Sequence, residues 1–292
     1  MIDCTKLETK IKSYGGANGN KKSVIYNGEL YMLKLPSNPR INKDLSYSNS
    51  TISEYISSFV FHMANIPCQE TVLGEYVHND IKRICVLCKD FETNGFRFAD
   101  FASLRNQVVD SNTNGHSTEL DDILSIFASQ DIVKENDLKK FFWSAFVVDA
   151  LLGNWDRHNG NWGYLYNIDT GESKIAPVFD NGSSLYPQAD EKIMSIILSN
   201  ANEMNKRIYE VPLSAITINN IKINYYDYLT SNPCEDCKEA LLSIVPLINV
   251  DKINNFIDEI DILSSVQKTF YKTMIKNRKE KILDVAYNKI KK

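Results

Sequence analysis

The segment from Gly153 to Asn161, with the sequence GNWDRHNGN, restricts the possible folds of this chain more than any other. Two strand-like runs follow it, Trp162–Asn167 and Lys174–Phe179, and the letters IDTG after the first run predict a tight turn. If the runs pair as an antiparallel hairpin, Asn161 precedes the hairpin and Asp180 follows it. Because facing residues of such a pair lie about 5 Å apart at Cα, we expect an amide and a carboxylate to meet at one end.

A third oxygen-bearing side chain, that of Asp156, lies five residues before Asn161 in a loop that can fold over the same place. Mg²⁺ binds few protein oxygens and leaves its other positions to water and phosphates. Phosphoryl transfer also needs a separate carboxylate that accepts the proton of the attacking hydroxyl. The spacing therefore predicts Asp156 as the catalytic base and Asn161 and Asp180 as metal ligands. The alternative is three ordinary loop residues, since Asn and Asp are common in turns.

A glycine-rich segment at residues 15–20, GGANGN, precedes two apolar runs that Asn27-Gly28 joins, which predicts a hairpin. Backbone N–H groups of such a loop can contact nucleotide phosphates, so we expect Asn18, Gly19 and Asn20 to cover the β- and γ-phosphates. The segment is not a P-loop, because position 20 is Asn where the second glycine would stand. An ordinary glycine-containing surface turn fits the segment equally well.

Lys34 lies in a predicted strand, on the same face as Met32, where it can contact the α- and β-phosphates and a helix carboxylate. Glu54 is the expected partner, near the start of a predicted amphipathic helix at 51–64. Two alternatives stay open. Lys34 can extend to solvent from a strand end, and Glu54 can belong to a capping box with Thr51.

These motifs, D-R-H-N-G-N at 156–161 and A-P-V-F-D at 176–180, resemble the catalytic and metal motifs of HipA-like serine/threonine kinases. The resemblance extends through GGANGN, SSLYPQAD and INYYD over nearly the whole chain. It implies an α+β, two-lobed protein-kinase-like fold, with a small β-rich N-lobe at 1–90 and a mainly helical C-lobe at 91–292. The order differs from ordinary protein kinases, in which His precedes the catalytic Asp, because His158 follows Asp156 here.

The resemblance implies an ATP- and Mg²⁺-dependent kinase that acts on protein serine or threonine and modifies its own serine near the glycine-rich loop, at Ser13 or Ser23. His158 would support the catalytic loop by hydrogen bonding, and backbone at Leu87 and Lys89 would contact adenine. A small-molecule or lipid phosphotransferase stays an alternative, as does a nucleotide-binding module without transfer activity.

Composition restricts partners and location. The net charge of -4 argues against nucleic acid as the main partner, since binding to phosphate backbones needs a basic surface. No apolar run reaches the roughly 18 residues of a membrane span, and the N-terminus has no apolar signal region. We expect a monomer or weak oligomer in the bacterial cytoplasm, or, by the resemblance, one translocated into host cells for a role in signalling. Residues 1–14 leave no room for the extra domain that contacts an antitoxin, which argues against toxin–antitoxin function.

Periodicity predicts the remaining elements. The run LKKFFWSAFVVDALL predicts a buried core helix that ends at Gly153, in which Asp149 is a paired structural carboxylate. The six cysteines are expected to be free thiols rather than zinc ligands. The other predictions are strands at 70–76 and 83–91, helices at 98–109, 120–127 and 191–198, and an all-helical remainder.

Overall fold

The computed structural model describes residues 1–14, 21–36, 48–103 and 118–292. A six-stranded sheet forms the N-lobe, with the strand order β1-β5-β6-β4-β3-β2. Its pairs are antiparallel except for β1 and β5, which are parallel. The strands are β1 (Ile2–Asp3), β2 (Thr9–Lys10), β3 (Lys21–Tyr26), β4 (Glu29–Lys34), β5 (Thr71–His78) and β6 (Ile81–Lys89).

The predicted hairpin around Asn27-Gly28 is confirmed. Both residues have positive φ, 50° and 79°, which is the turn geometry that matches the twist of a hairpin. The register places Lys21 directly opposite Lys34. Two lysines therefore stand side by side where β3 begins and β4 ends.

Helix α1 (Ser50–Met63) packs against this sheet. Ile52, Ile56 and Val60 recur every four residues and are buried, as the predicted apolar stripe requires. The helix begins after Asn49, so Thr51 lies inside the first turn. The capping-box alternative is therefore wrong, and the Glu54 side chain makes its contacts elsewhere.

A second sheet in the C-lobe contains β7 (Phe96–Asp100), β8 (Gly163–Asn167) and β9 (Ser173–Ile175), in that order. The β8–β9 pair confirms the predicted hairpin. The helix predicted at 98–109 is wrong at its start, because residues 98–100 belong to β7, where Phe96 and Phe98 lie on either side of Arg97 and belong to a small apolar cluster. Residues 104–109 lie outside the described residues.

The chain leaves the hairpin before it reaches Asp180. Beyond β9, the N–H of Val178 donates to Pro67 O at 2.8 Å, and the N–H of Gln69 donates to Val178 O at 2.8 Å. The segment that ends at Asp180 is thus paired to the N-lobe, and Asn161 and Asp180 are not facing residues of one hairpin. This corrects the route by which we expected the two side chains to meet.

The C-lobe is otherwise mainly helical. Helix α3 is buried nearly all round and ends at Gly153 with φ 64°, as predicted. The helices are α2 (Leu120–Ser129), α3 (Glu135–Leu152), α4 (Glu191–Ser199), α5 (Ala201–Tyr209), α6 (Tyr225–Ser231), α7 (Glu235–Ile244), α8 (Val250–Asp258), α9 (Ser265–Arg278) and α10 (Asp284–Ile290), with a π-helical turn at Lys279–Leu283.

The expectation of an all-helical remainder is wrong at one place, where β10 (Leu213–Ile218) and β11 (Ile221–Asn224) form a hairpin. Its turn residues Asn219 and Asn220 both have positive φ, a conformation that Asn tolerates. The Glu119 carboxylate accepts the N–H groups of both, at 2.5 and 3.0 Å.

One contiguous apolar core contains residues of α1, of the sheet face beneath it and of the C-lobe helices, so the two lobes are packed together. Within the described ranges, no single helix has the length and apolar character needed to cross a membrane. Two consecutive helical stretches, Glu235–Leu247 and Val250–Asp258, are together long and apolar enough to cross a membrane. This is a statement about length and composition only, and the two stretches are bent by 56° relative to each other.

Gly163 is required where β7 and β8 approach each other. A Cβ at this position would lie 2.1 Å from the Ala99 carbonyl oxygen, so Gly163→Ala must displace backbone. We expect a loss of about 3 kcal/mol in the free energy of unfolding, measured by urea denaturation. The matched control is Gly171→Ala in the β8–β9 turn, where the cost is backbone strain of about 1 kcal/mol. Equal losses in the two variants would contradict the packing argument.

Candidate active site

A cleft of about 490 Å³ lies between the N-lobe sheet and the C-lobe loops. It brings three of the sequence-predicted polar residues, Asp156, Asn161 and Asp180, to one cavity, together with His158. The rest of its wall includes Ser13, Tyr14, Lys21, Met32, Gln69, Asp90, Phe91, Glu92, Phe98, Asp100, Gly160 and Phe179.

Lys34 is bound between two carboxylates beside this cleft. Its Nζ lies 2.5 Å from Glu54 Oε2 and 2.7 Å from Asp180 Oδ1. Burial by itself lowers the pKa of Lys34, but the charges of Asp180 and Glu54 outweigh that effect and hold it well above its usual value. In return, the positive charge of Lys34 lowers the pKa of Asp180 to about 2. Both groups are therefore charged at neutral pH.

Glu54 also fixes the backbone that follows Asp180. Its side chain is 1% exposed, and Oε1 accepts the N–H of Asn181 at 2.8 Å. Asp180 itself has φ 55°, a conformation that is uncommon outside Gly, Asn and Asp. One buried carboxylate thus connects helix α1, strand β4 and the Asp180 segment. The sequence predicted its contact with Lys34 but not its contact with the Asp180 segment.

The loop that carries Asp156 is attached to the end of α3. Asn154 donates its Nδ2 to Asp149 Oδ1 at 2.9 Å and accepts the N–H of Asp156 at 3.0 Å. The Tyr225 hydroxyl donates to Asn154 O at 2.6 Å. Asp149 is 1% exposed and paired, as predicted. The loop is therefore positioned by groups that the core helix holds.

Arg157 connects the two loops of the site, and the sequence did not indicate this role. Its Nε and Nη2 donate to the Asp149 carboxylate at 2.9 and 3.0 Å, a bidentate pair. Nη1 donates to Phe179 O at 2.6 Å, and Nη2 also donates to Asn181 Oδ1 at 2.5 Å. This buried guanidinium holds the residues on both sides of Asp180 against the Asp156 loop.

Asn161 and His158 shape the loop in different ways. Asn161 donates its Nδ2 to Asp156 O at 2.7 Å, so the amide oxygen is the group that can bind a cation. His158 accepts the N–H of Gly160 at Nδ1, at 3.0 Å. Its Nε2 lies 3.9 Å from Asp156 Oδ1, beyond hydrogen-bond distance. The His158 ring therefore supports the loop through a hydrogen bond with the Gly160 backbone and not through the Asp156 carboxylate.

Asp156 faces the cleft with its carboxylate. Burial raises the pKa of Asp156, and the negative charge of Asp180 raises it further. The charge of His158 acts in the opposite direction and does not cancel this increase. The pKa values of the two carboxylates are thereby moved apart, that of Asp156 upward and that of Asp180 downward. Such a separation is what distinct acid–base and charge-stabilising roles require.

The backbone predicted to contact adenine is not at the cleft. Leu87 lies in β6 between Leu33 and Val72 of the neighbouring strands. Lys89 donates its N–H to Glu70 O at 2.9 Å and accepts Gln69 Nε2 at its carbonyl, at 2.8 Å. Sheet pairing therefore uses the N–H and the carbonyl of Lys89, and neither Leu87 nor Lys89 is among the residues that line the cleft. The wall of the cleft at the connection between the lobes is formed by Asp90, Phe91 and Glu92.

Three aromatic rings form an apolar surface next to that connection. The centroids of Phe91, Phe98 and Phe179 lie between 5.2 and 5.6 Å apart, and all three rings line the cleft with Met32. Asn18, Gly19 and Asn20 of the glycine-rich segment lie outside the described residues.

The HipA-like C-terminal domain matches residues 12–242. The chain belongs to the HipA-like family. It is 46% identical over 290 residues to the serine/threonine-protein kinase CtkA of Helicobacter pylori strain J99, with 99% of this chain and 88% of that protein covered.

Solved structures agree. The crystal structure of a Helicobacter pylori proinflammatory kinase CtkA has a TM-score of 0.93 and 45% identity to this HipA-like chain, covering 99% of it and 97% of the other chain. HipA of Shewanella oneidensis, in a complex with HipB and operator DNA, has a TM-score of 0.57 at 15% identity, with 96% of this chain and 69% of that chain covered. The second likeness concerns the fold alone. The predicted family, the α+β kinase-like fold and the predicted enzyme class, a kinase, are confirmed.

Asp180→Asn tests the charge pairing at Lys34 through pH. The pKa of Asp180 is lowered from 3.8 to about 2 in the folded protein, so its ionised form stabilises the fold above the unfolded value, and this contribution is lost as pH falls toward 2. We expect the difference in unfolding free energy between wild type and Asp180→Asn to decrease from about pH 4 to about pH 2. Urea unfolding at fixed pH values measures it. A difference that stays constant over this window would contradict the pairing.

Proposed function

We propose that this HipA-like protein transfers the γ-phosphate of ATP to serine or threonine hydroxyls of proteins, with Mg²⁺ as cofactor. The observation that carries the proposal is the convergence of Asp156, Asn161 and Asp180 at one cleft, with Lys34 bound to Asp180 beside it. Phosphoryl transfer needs a cation for the phosphates, oxygen ligands for metal and a carboxylate for the acceptor hydroxyl. The cleft offers each of these from a different side chain.

The donor atoms near Asp180 fit Mg²⁺, which prefers carboxylate and amide oxygens and keeps several positions for water and phosphate. Asn161 would contribute its amide oxygen, because its Nδ2 is used by Asp156 O. Asp180 would contribute the oxygen that Lys34 does not bind. Bound there with the nucleotide, Mg²⁺ would neutralise charge that develops on the β- and γ-phosphates.

Lys34 would contact the α- and β-phosphates from the sheet side of the cleft, held in place by Glu54. Asp156 would orient the acceptor hydroxyl and accept its proton. Its raised pKa makes it a better proton acceptor than an exposed Asp, provided that it is ionised, so activity should be lost as pH falls through that pKa. The adenine ring would pack against Phe91, Phe98 and Met32, which line the same cleft.

The specificity for protein serine and threonine is supported by the relative that shares 46% of its residues with this chain and is named a serine/threonine-protein kinase. The relative covers 99% of this chain, so the matched region includes both lobes. A serine/threonine kinase transfers phosphate to hydroxyl groups, which is the chemistry that a carboxylate base such as Asp156 assists.

Two substitutions test the roles of the carboxylates. We expect Asp156→Ala and Asp180→Asn each to lower turnover on the order of 10³-fold, about 4 kcal/mol, because most of the acceleration in this chemistry is electrostatic and positional. Transfer of label from radioactive ATP to a protein acceptor measures turnover, and the unfolding free energy shows that each variant is folded.

The matched control is Asp169→Asn, an exposed carboxyl in the β8–β9 turn away from the cleft, which should leave turnover unchanged. Full turnover in Asp156→Ala or in Asp180→Asn would contradict the role given to that residue. Label that appears only on small molecules would contradict the assignment of a protein acceptor.

Autophosphorylation is part of the proposal, and the two candidate serines differ in access. Ser23 is 3% exposed, and its hydroxyl donates to Lys12 O. Ser13 lines the cleft. We expect Ser13, and not Ser23, to be modified, because Ser13 is the serine that lines the cleft. A phosphate there would add up to two negative charges, which would repel bound ATP.

Mass spectrometry after incubation with Mg·ATP tests this, with Ser13→Ala and Ser23→Ala compared. We expect Ser13→Ala to abolish the modification near the glycine-rich segment and Ser23→Ala to retain it. Modification of neither serine in the wild-type protein would exclude this mode of regulation.

A further inference from the structure

The segment before residue 15 is bound to the connection between the lobes by an ionic network. Lys12 Nζ lies 2.6 Å from Asp90 Oδ2 and 2.6 Å from Glu92 Oε2. The Tyr14 hydroxyl donates to the same Asp90 oxygen at 2.7 Å. We call these four residues, Lys12, Tyr14, Asp90 and Glu92, the N-terminal clamp.

Both acidic members of the clamp also hold backbone of the connection. Asp90 Oδ1 accepts the N–H of Glu92 at 2.8 Å. Glu92 Oε1 accepts the N–H of Phe98 at 2.7 Å. Lys12 is thus joined through Glu92 to strand β7, and through Asp90 to the end of the N-lobe sheet. The clamp spans the full width of the connection.

The environment makes this network stronger than a surface ion pair. The Asp90 side chain is 3% exposed. Burial by itself lowers the pKa of Lys12, yet its hydrogen bonds with Asp90 and Glu92 raise it above the usual value. Burial and the contact with Asp90 raise the pKa of Tyr14. At neutral pH, Lys12 is therefore charged and Tyr14 keeps its proton.

The clamp forms part of the cleft wall. Tyr14, Asp90 and Glu92 line the cleft, as do the neighbouring rings of Phe91 and Phe98. Its members use their charges on one another and on backbone, so they are placed to fix the walls rather than to bind phosphate.

We propose that Lys12 and Tyr14 are positioning residues for the nucleotide base. They hold the N-terminal segment against the connection between the lobes, and so keep in place the cleft wall of Asp90, Phe91 and Glu92, against which the base would lie. The inference rests on the proposed ATP-dependent function and adds to it residues outside the catalytic motifs. A cleft wall that is already ordered in the free protein reduces the entropy lost when the nucleotide binds.

Lys12→Met and Tyr14→Phe test the clamp with little change in side-chain volume, since one removes a charge and the other a single hydroxyl. We expect the Kd for the magnesium complex of a non-hydrolysable ATP analogue to rise about tenfold in Lys12→Met, with a smaller rise in Tyr14→Phe. KM for ATP should rise in parallel while kcat changes less than about twofold, because uniform binding is what is lost.

The matched control is Lys10→Met, two residues away, whose ion pair with Glu8 is exposed on both sides and which should bind nucleotide as the wild type does. A second probe separates positioning of the base from general loss of structure. Binding of inorganic triphosphate with Mg²⁺ should be unchanged in Lys12→Met, whereas a disordered cleft would weaken both probes.

Each outcome has one meaning. Wild-type affinity for the ATP analogue in both variants, or equal weakening of inorganic triphosphate, would overturn the clamp. A wild-type protein that binds neither the ATP analogue nor inorganic triphosphate would contradict the proposed function itself, which is a separate failure. Tyr14→Phe serves as the decisive variant if Lys12→Met does not fold, because the loss of one hydroxyl leaves the ring in place.

Discussion

The site depends above all on one ammonium group, that of Lys34, which is bound between Glu54 and Asp180. A buried charge without compensation is costly, and removing one partner of such a group leaves the other uncompensated. Here the cation comes from a strand, one anion from a helix and the other from a loop. The electrostatic requirement to keep these charges together therefore also brings together three elements that are distant in sequence.

Arg157 performs the same task on the C-lobe side. It combines a bidentate pair with Asp149 and contacts to Phe179 O and Asn181. Together, Lys34 and Arg157 fix Asp180 and its neighbours, since Lys34 binds the Asp180 carboxylate and Arg157 binds Phe179 O and Asn181 Oδ1. Groups held in this way need little rearrangement when charge develops, which is the main source of acceleration in electrostatic catalysis.

Much of the site could be predicted because its residues obey local rules. Alternation along β4 gave the orientation of Lys34, helical spacing gave the position of Glu54, and the β8–β9 hairpin followed from its turn. The contacts of Arg157 could not be predicted, since an Arg beside a loop Asp is usually exposed and its partners lie up to 24 residues away. The sequence does not show which backbone groups of β6 are already paired, so it could not show that the Leu87 and Lys89 backbone takes part in sheet pairing. The β10–β11 hairpin carried a signal in Asn219-Asn220, but its short strands are hard to distinguish from helix ends.

The two contacts of Glu54 have a consequence for control of the enzyme. Many two-lobed phosphotransferases can be silenced by an outward swing of the helix that bears this glutamate. In this chain such a swing would separate Glu54 from Lys34 and from the N–H of Asn181 at once, and would pull buried residues of α1 out of the shared core. Because these contacts would all be lost, the inactive arrangement would be high in free energy, and rotation of α1 would be an unfavourable way to inactivate this protein. A segment that makes fewer interactions could change conformation, and so regulate activity, at a lower cost in free energy.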